Sequence, residues 1–187
     1  MKKRLFVALD LPESIKARVE PLCSGLPSAR WVASDQFHLT LCFIGEVDGA
    51  TFHDIREELF SVTFPPFAMR LDGMGFFPPR GKSRVVWLGV EENAQLHLLH
   101  QKIYTCLTRS GVQLEKRKFA PHITVARLKD TPASKVARYL EEYGLFCTEP
   151  FVVENFRLYS SMLGRKGAVH TIEQEYGLGR SEEKSSQ

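Results

Sequence analysis

Long apolar runs, closely spaced cysteines and a strong charge of either sign are all missing from this 187-residue chain. No apolar stretch approaches the ~20 residues that cross a bilayer, so no membrane segment is expected. The four cysteines, Cys23, Cys42, Cys106 and Cys147, stand far apart with no Cys-x-x-Cys spacing. This argues against a thiolate zinc site and for free, mostly buried thiols in a reducing cytoplasm. A net charge of +3 permits an anionic partner without indicating a broad nucleic-acid footprint. Gly/Ser linkers and low-complexity tracts are absent too. The basic start is followed by a short apolar run that Asp10 and Pro12 end too early for a signal peptide, so residues 4–10 read as a first strand.

What is present is an ordinary globular composition, 43% hydrophobic and 25% charged, in a chain long enough for one domain or two small lobes. Helical spacing marks a stretch from Pro12 to Gly25, a helix capped by Asp48 with Phe52, Ile55, Leu59 and Phe60 on its inner face, residues 94–110, and a helix from Pro132 to Gly144. Strands are expected at Trp31-Val32, 37–44, Phe67 to Leu71, 85–90, 121–128, Phe151 to Leu158 and Ala168 to Tyr176. Gly73, Gly75, Pro78, Pro79 and Gly81 mark a turn-rich loop. The tail from Ser181 to Gln187 is polar and expected to fray.

One feature recurs. Phe37-His38-Leu39-Thr40-Leu41 returns as Pro121-His122-Ile123-Thr124-Val125, nearly half the chain later. On a strand, residues two apart share a face, so each His and Thr point one way and the apolar residues the other. Two such strands side by side would bring two imidazoles and two hydroxyls to one spot, a setting for acid–base chemistry on a phosphate. The order of elements implies an α+β duplication, its halves facing across a groove.

These residues resemble the two-histidine (2H) phosphoesterase superfamily, defined by paired His-x-Thr/Ser-x motifs, and within it the RNA 2′,3′-cyclic phosphodiesterases, also named 2′-5′ RNA ligases. The flanks agree: Arg4 to Pro12, Ala29-Arg30-Trp31-Val32, Phe43-Ile44-Gly45-Glu46, Val86 to Val90 and Phe119 to Arg127. The resemblance covers roughly residues 4–176. It implies two pseudo-symmetric lobes, each an antiparallel sheet with helices outside, enclosing a central groove in a single domain spanning 1–180. It also implies hydrolysis of RNA 2′,3′-cyclic phosphate ends to 2′-phosphomonoesters without a metal or other cofactor, with reverse 2′-5′ ligation allowed. His122 would be the proton acceptor, His38 the proton donor, and Thr40, Thr124 and Arg127 the phosphate ligands.

Two departures stand out. Cys42 occupies a position where many members have arginine; on a regular strand it faces the side of Thr40 and His38 and would line the groove rim. His170 replaces a more usual tyrosine. Arg127, at an odd offset from Thr124, reaches the site only if its strand twists, bulges or ends first.

Further groove candidates are Phe76 and Phe77, as base-stacking residues or loop anchors, and Lys118. Lys116, Arg117 and Lys118, like Arg80, Lys82 and Arg84, either steer RNA phosphates or form solvated faces. His97 and His100 have helical spacing but no third metal ligand, and His53 reads as a helix-surface residue. The expected partner is RNA with a 2′,3′-cyclic phosphate end, tRNA fragments included, or a small cyclic nucleotide, bound by a cytoplasmic monomer. The competing readings are a phosphodiesterase for small cyclic nucleotides or 2′-5′ oligonucleotides, and a noncatalytic RNA-binding module.

Overall fold

Strands β1 (Lys3–Asp10), β2 (Ala29–Trp31), β3 (His38–Val47), β4 (Phe67–Met69), β5 (Leu71–Phe77), β6 (Val85–Val90), β7 (His122–Leu128), β8 (Phe151–Val153), β9 (Asn155–Gly164) and β10 (Gly167–Gly177) alternate with four helices. The helices are α1 (Glu13–Val19), α2 (Gly49–Glu58), α3 (Ala94–Arg109) and α4 (Ala133–Tyr143). The structure, a computed structural model, describes residues 2–116, 118–164 and 167–179. The polar tail 181–187 and Arg117 lie outside the described residues. Among the described residues no helix is long and apolar enough to cross a membrane.

The helix starts follow their capping chemistry. The Asp48 side chain accepts from Thr51 N at 2.8 Å and Asn93 from Leu96 N at 3.1 Å, each satisfying an orphan donor of the first turn. Along β1 the residues divide by parity: Leu5, Val7 and Leu9 enter the main core beneath the helices, whereas Phe6 and Ala8 join Tyr159 in a small cluster on the other face. Alternation therefore sets a helix-covered face against a groove-facing one.

The sheet runs β10-β9-β1-β3-β7-β6-β5, with β2 also pairing β7. Every pairing along it is antiparallel. Its two halves meet between β3 and β7 in a single register pair, Leu39↔Ile123. One lobe is thus β10, β9, β1 and β3, joining the two ends of the chain, and the other is β7, β6, β5 and β2. This is the α+β, two-lobed arrangement the motif pattern implied.

Several expectations change. Phe67 to Leu71 is not one strand: β4 pairs with β8 in a separate two-stranded sheet and β5 pairs with β6 in the main one. The glycine-rich stretch after it is largely strand, since β5 runs to Phe77. Gly75 is glycine there because the Trp87 indole packs against its backbone, and a Cβ would clash with the ring atoms. Phe151 to Leu158 likewise splits at Glu154. Phe60 is exposed rather than inward, because α2 ends at Glu58 and the following 3₁₀ turn shifts the helical phase.

Leu39 and Ile123 are both fully buried. Leu39→Ala is therefore expected to destabilise the protein by about 2–5 kcal/mol, read from chemical denaturation; a loss within error of zero would show that the lobes are held together elsewhere.

Candidate active site

The two motif strands share a burial rhythm. His38 to Ile44 and His122 to Leu128 follow the same seven-residue sequence of partly buried, buried and exposed positions. Extending the Leu39↔Ile123 register by one residue each way sets His38 across from Thr124 and Thr40 across from His122. With Leu39 and Ile123 pointing into the core, all four polar side chains lie on the opposite face.

Each strand then carries a bulge three positions after its histidine. Val7 pairs with Cys42 but Ala8 with Thr40, leaving Leu41 extra; Val86 pairs with Ala126 but Trp87 with Thr124, leaving Val125 extra. A bulge advances the strand by one residue and reverses which parity faces which side. Cys42 and Ala126 consequently turn into the core, at 5% and 0% exposure. Cys42 does not line the groove rim, contrary to the regular-strand expectation. The same shift carries Arg127 onto the face of His122 and Thr124, as it carries Phe43 onto that of His38. Arg127 is near enough that its charge acts on both His38 and His170.

The histidines are oriented alike. His38 Nδ1 lies 2.8 Å from Gln36 O and His122 Nδ1 2.7 Å from Ala120 O. A carbonyl only accepts, so in the neutral ring Nδ1 carries the proton and Nε2 presents its lone pair to the groove. Around His38 stand Phe6, His170 and Tyr159, with ring centroids 5.0, 5.1 and 6.1 Å away. Around His122 stand Phe77 at 5.1 Å and Trp87 at 6.4 Å. Phe77 faces the groove; Phe76, its neighbour on β5, packs against the main core and is not a stacking platform.

The symmetry breaks in the charge beside each ring. Asp10 is the β1 partner of His38, whereas Gly89 is the β6 partner of His122. Asp10 also binds the buried Lys16 at 3.1 Å and Arg157. Burial holds the His38 imidazole down at about 4; the Gln36 carbonyl and Asp10 pull upward, while His170 and Arg127 push further down.

Among the other candidates, Lys118 is exposed in the irregular segment leading into β7. Lys82 is occupied by Asp130 at 2.7 Å. His100 stacks on Phe119 at 4.0 Å, with His97 edge-on at 5.3 Å. Among the described residues no three His, Cys, Asp or Glu side chains gather closely enough to hold a metal ion. Phe6, Trp87, Tyr159 and Gln36 were not foreseen as groove residues. Phe6 and Trp87 sit within apolar runs whose inward and outward members look alike in sequence.

Known proteins share this arrangement. The family model described as the 2′-5′ RNA ligase superfamily matches residues 5–164. The chain is 37% identical over 170 residues to an RNA 2′,3′-cyclic phosphodiesterase of Archaeoglobus fulgidus, spanning 89% of this chain and 96% of that one. It is 34% identical over 175 residues to the protein of the same name from Thermotoga maritima, spanning 90% and 92%. The crystal structure of E. coli LigT in apo form superposes with a TM-score of 0.78 at 28% identity, covering 96% of this chain and 99% of that one. The same protein has been solved in complex with 3′-AMP. With two His-x-Thr strands meeting at one pair, and with these matches, the chain belongs to the 2′-5′ RNA ligase superfamily.

Proposed function

We propose that this protein hydrolyses RNA 2′,3′-cyclic phosphate ends to 2′-phosphomonoesters, using His122 as proton acceptor and His38 as proton donor. The observation that carries this reading is the matched pair of Nδ1–carbonyl contacts, which turns both Nε2 atoms to one groove. A water gives its proton to His122 Nε2 as its oxygen attacks phosphorus. The bond from phosphorus to the 3′ oxygen breaks on the opposite side, and that oxygen takes the proton from His38 Nε2. One water is consumed, both protons are accounted for, and the 2′ ester remains. Thr40 and Thr124 donate to the nonbridging oxygens, and Arg127 adds a fixed positive charge where negative charge builds.

The choice of His38 as acid rests on Asp10. Among the protein's own groups alone His38 is neutral at pH 7, since its pKa is held at about 4. An anionic phosphate about 4 Å away contributes roughly 4 kcal/mol at the effective dielectric of a protein site, or about three pKa units. This brings the imidazolium into the neutral range when substrate binds. The upward pull of Asp10 is already part of that starting value, and His122 has only Gly89 in the equivalent place.

The relatives' names support RNA as the substrate, tRNA fragments being one source of such ends. We place the protein in the cytoplasm, because its four cysteines are all free, as a reducing compartment favours. The two lobes, sharing one sheet, function as a single domain over 1–180.

An oligonucleotide ending in a 2′,3′-cyclic phosphate, incubated in excess EDTA, is expected to yield only a 2′-phosphate end by product analysis. A 3′-phosphate product would reverse the leaving group, and activity restored only by a divalent ion would overturn the metal-free route. His38→Ala and His122→Ala are each expected to lower kcat by about 10²–10⁴; a near-normal rate in either folded variant removes that residue from its role.

Stability should report the same group. A histidine whose folded pKa lies below its unfolded value of about 6.5 stabilises the fold above pH 6.5 and loses that contribution as pH falls toward 4. Melting curves at pH 7.5 and 4.5 are expected to show a smaller acid loss in His38→Asn than in the wild type. Equal losses would mean that His38 is not the buried neutral group.

A further inference from the structure

A third histidine stands beside His38. The His170 ring meets the His38 ring edge-on, 5.1 Å between centroids at 86°, and meets Phe6 at 4.9 Å and 78°. Gln36 ties both into one unit: its backbone carbonyl faces His38 Nδ1 and its side-chain oxygen accepts from His170 N at 3.0 Å. Both rings line a cavity of about 310 Å³, bordered also by Asp35, Gln36, Tyr159 and Thr171. Strand register agrees, because Ile172 pairs with Tyr159 and His170 lies two residues before it on the same face.

The two nitrogens of His170 have different surroundings. Nδ1 is buried with no hydrogen-bond partner among the described residues, whereas Nε2 is not among the buried unpartnered atoms. Placing the single proton of a neutral ring on Nδ1 would bury an N–H with no acceptor. The proton therefore belongs on Nε2, in a ring that lines the cavity. This is the tautomer opposite to those of His38 and His122, which offer lone pairs to the groove.

We infer that His170 is a third substrate-binding histidine, a neutral imidazole that donates from Nε2 to a ribose oxygen on the leaving-group side of the nucleotide. The inference rests on the proposed reaction, in which His38 serves that side. Burial and the nearby Arg127 charge push the His170 pKa down, which keeps the ring neutral and the tautomer defined at pH 7 in the free protein. The polar cavity rim of Asp35, Gln36 and Thr171 suits a hydroxyl-bearing nucleoside better than an apolar group.

The experiment compares wild type with His170→Phe, which keeps a flat ring without a donor, and His170→Tyr, which returns a donor at the ring's far end. For nucleoside 2′,3′-cyclic phosphate hydrolysis, His170→Phe is expected to raise KM roughly three- to tenfold, the range of one neutral hydrogen bond. His170→Tyr is expected to recover most of that loss. Inhibition by inorganic phosphate, which has no ribose, should be the same in all three. A KM unchanged in His170→Phe overturns the inference, as does an equal weakening toward inorganic phosphate. Nitrogen-15 spectra of the free wild-type protein give a test apart from turnover: Nε2–H at His170 supports the assignment, and Nδ1–H overturns it. Absence of hydrolysis in the wild type would strike the proposed reaction, with the tautomer still deciding the donor assignment.

Discussion

One backbone pairing, Leu39 against Ile123, joins the two lobes of the sheet and locates everything functional in the molecule. Both side chains are driven into the core, so the neighbours of each are forced to the other face. Those neighbours are His38 and Thr40 on one strand and His122 and Thr124 on the other. Antiparallel pairing then sets each histidine across from the other strand's threonine. Burial of two aliphatic residues brings the two half-sites together on one face, and the Gln36 and Ala120 carbonyls then set the orientation of each ring.

The second constraint is the bulge that follows each motif. A strand that continued regularly past Thr124 would turn Arg127 away from the face of His122 and bring Ala126 onto it. The extra residue at Val125 reverses this, and the extra residue at Leu41 does the same in the first lobe. The duplication is therefore deeper in geometry than in sequence. The two halves share burial rhythm, bulge position and the carbonyl that fixes each imidazole, while the residues at the fifth position past each histidine are Phe43 and Arg127. Duplicated geometry with unlike side chains turns a symmetric frame into a directional site.

Directionality comes mainly from what adjoins the rings. The His38 side holds Asp10, a second imidazole and the Asp10–Lys16–Arg157 network, and the cavity opens there. The His122 side is walled by Phe77 and Trp87, whose buried indole N–H has no acceptor among the described residues. One flank is thus polar and titratable and the other aromatic.

The sequence by itself determined the local elements and the pairing of chemistry. Apolar periodicity located the four helices, Asp48 announced its own cap, and two separated His-x-Thr segments declared themselves as strands with one polar and one apolar face. Only the tertiary structure decided what depends on register. Cys42 and Arg127 swapped faces through bulges that arise from pairing with β1 and β6, a relation between distant segments that no single stretch encodes. The aromatic walls were hidden for a related reason: within Leu5-Phe6-Val7-Ala8-Leu9 every residue is apolar, and only the strand's place between a helix layer and a groove says that Phe6 faces the chemistry. His170 was visible as a residue type, but its meeting with His38 exists only because β10 returns along β9 and delivers it to Gln36.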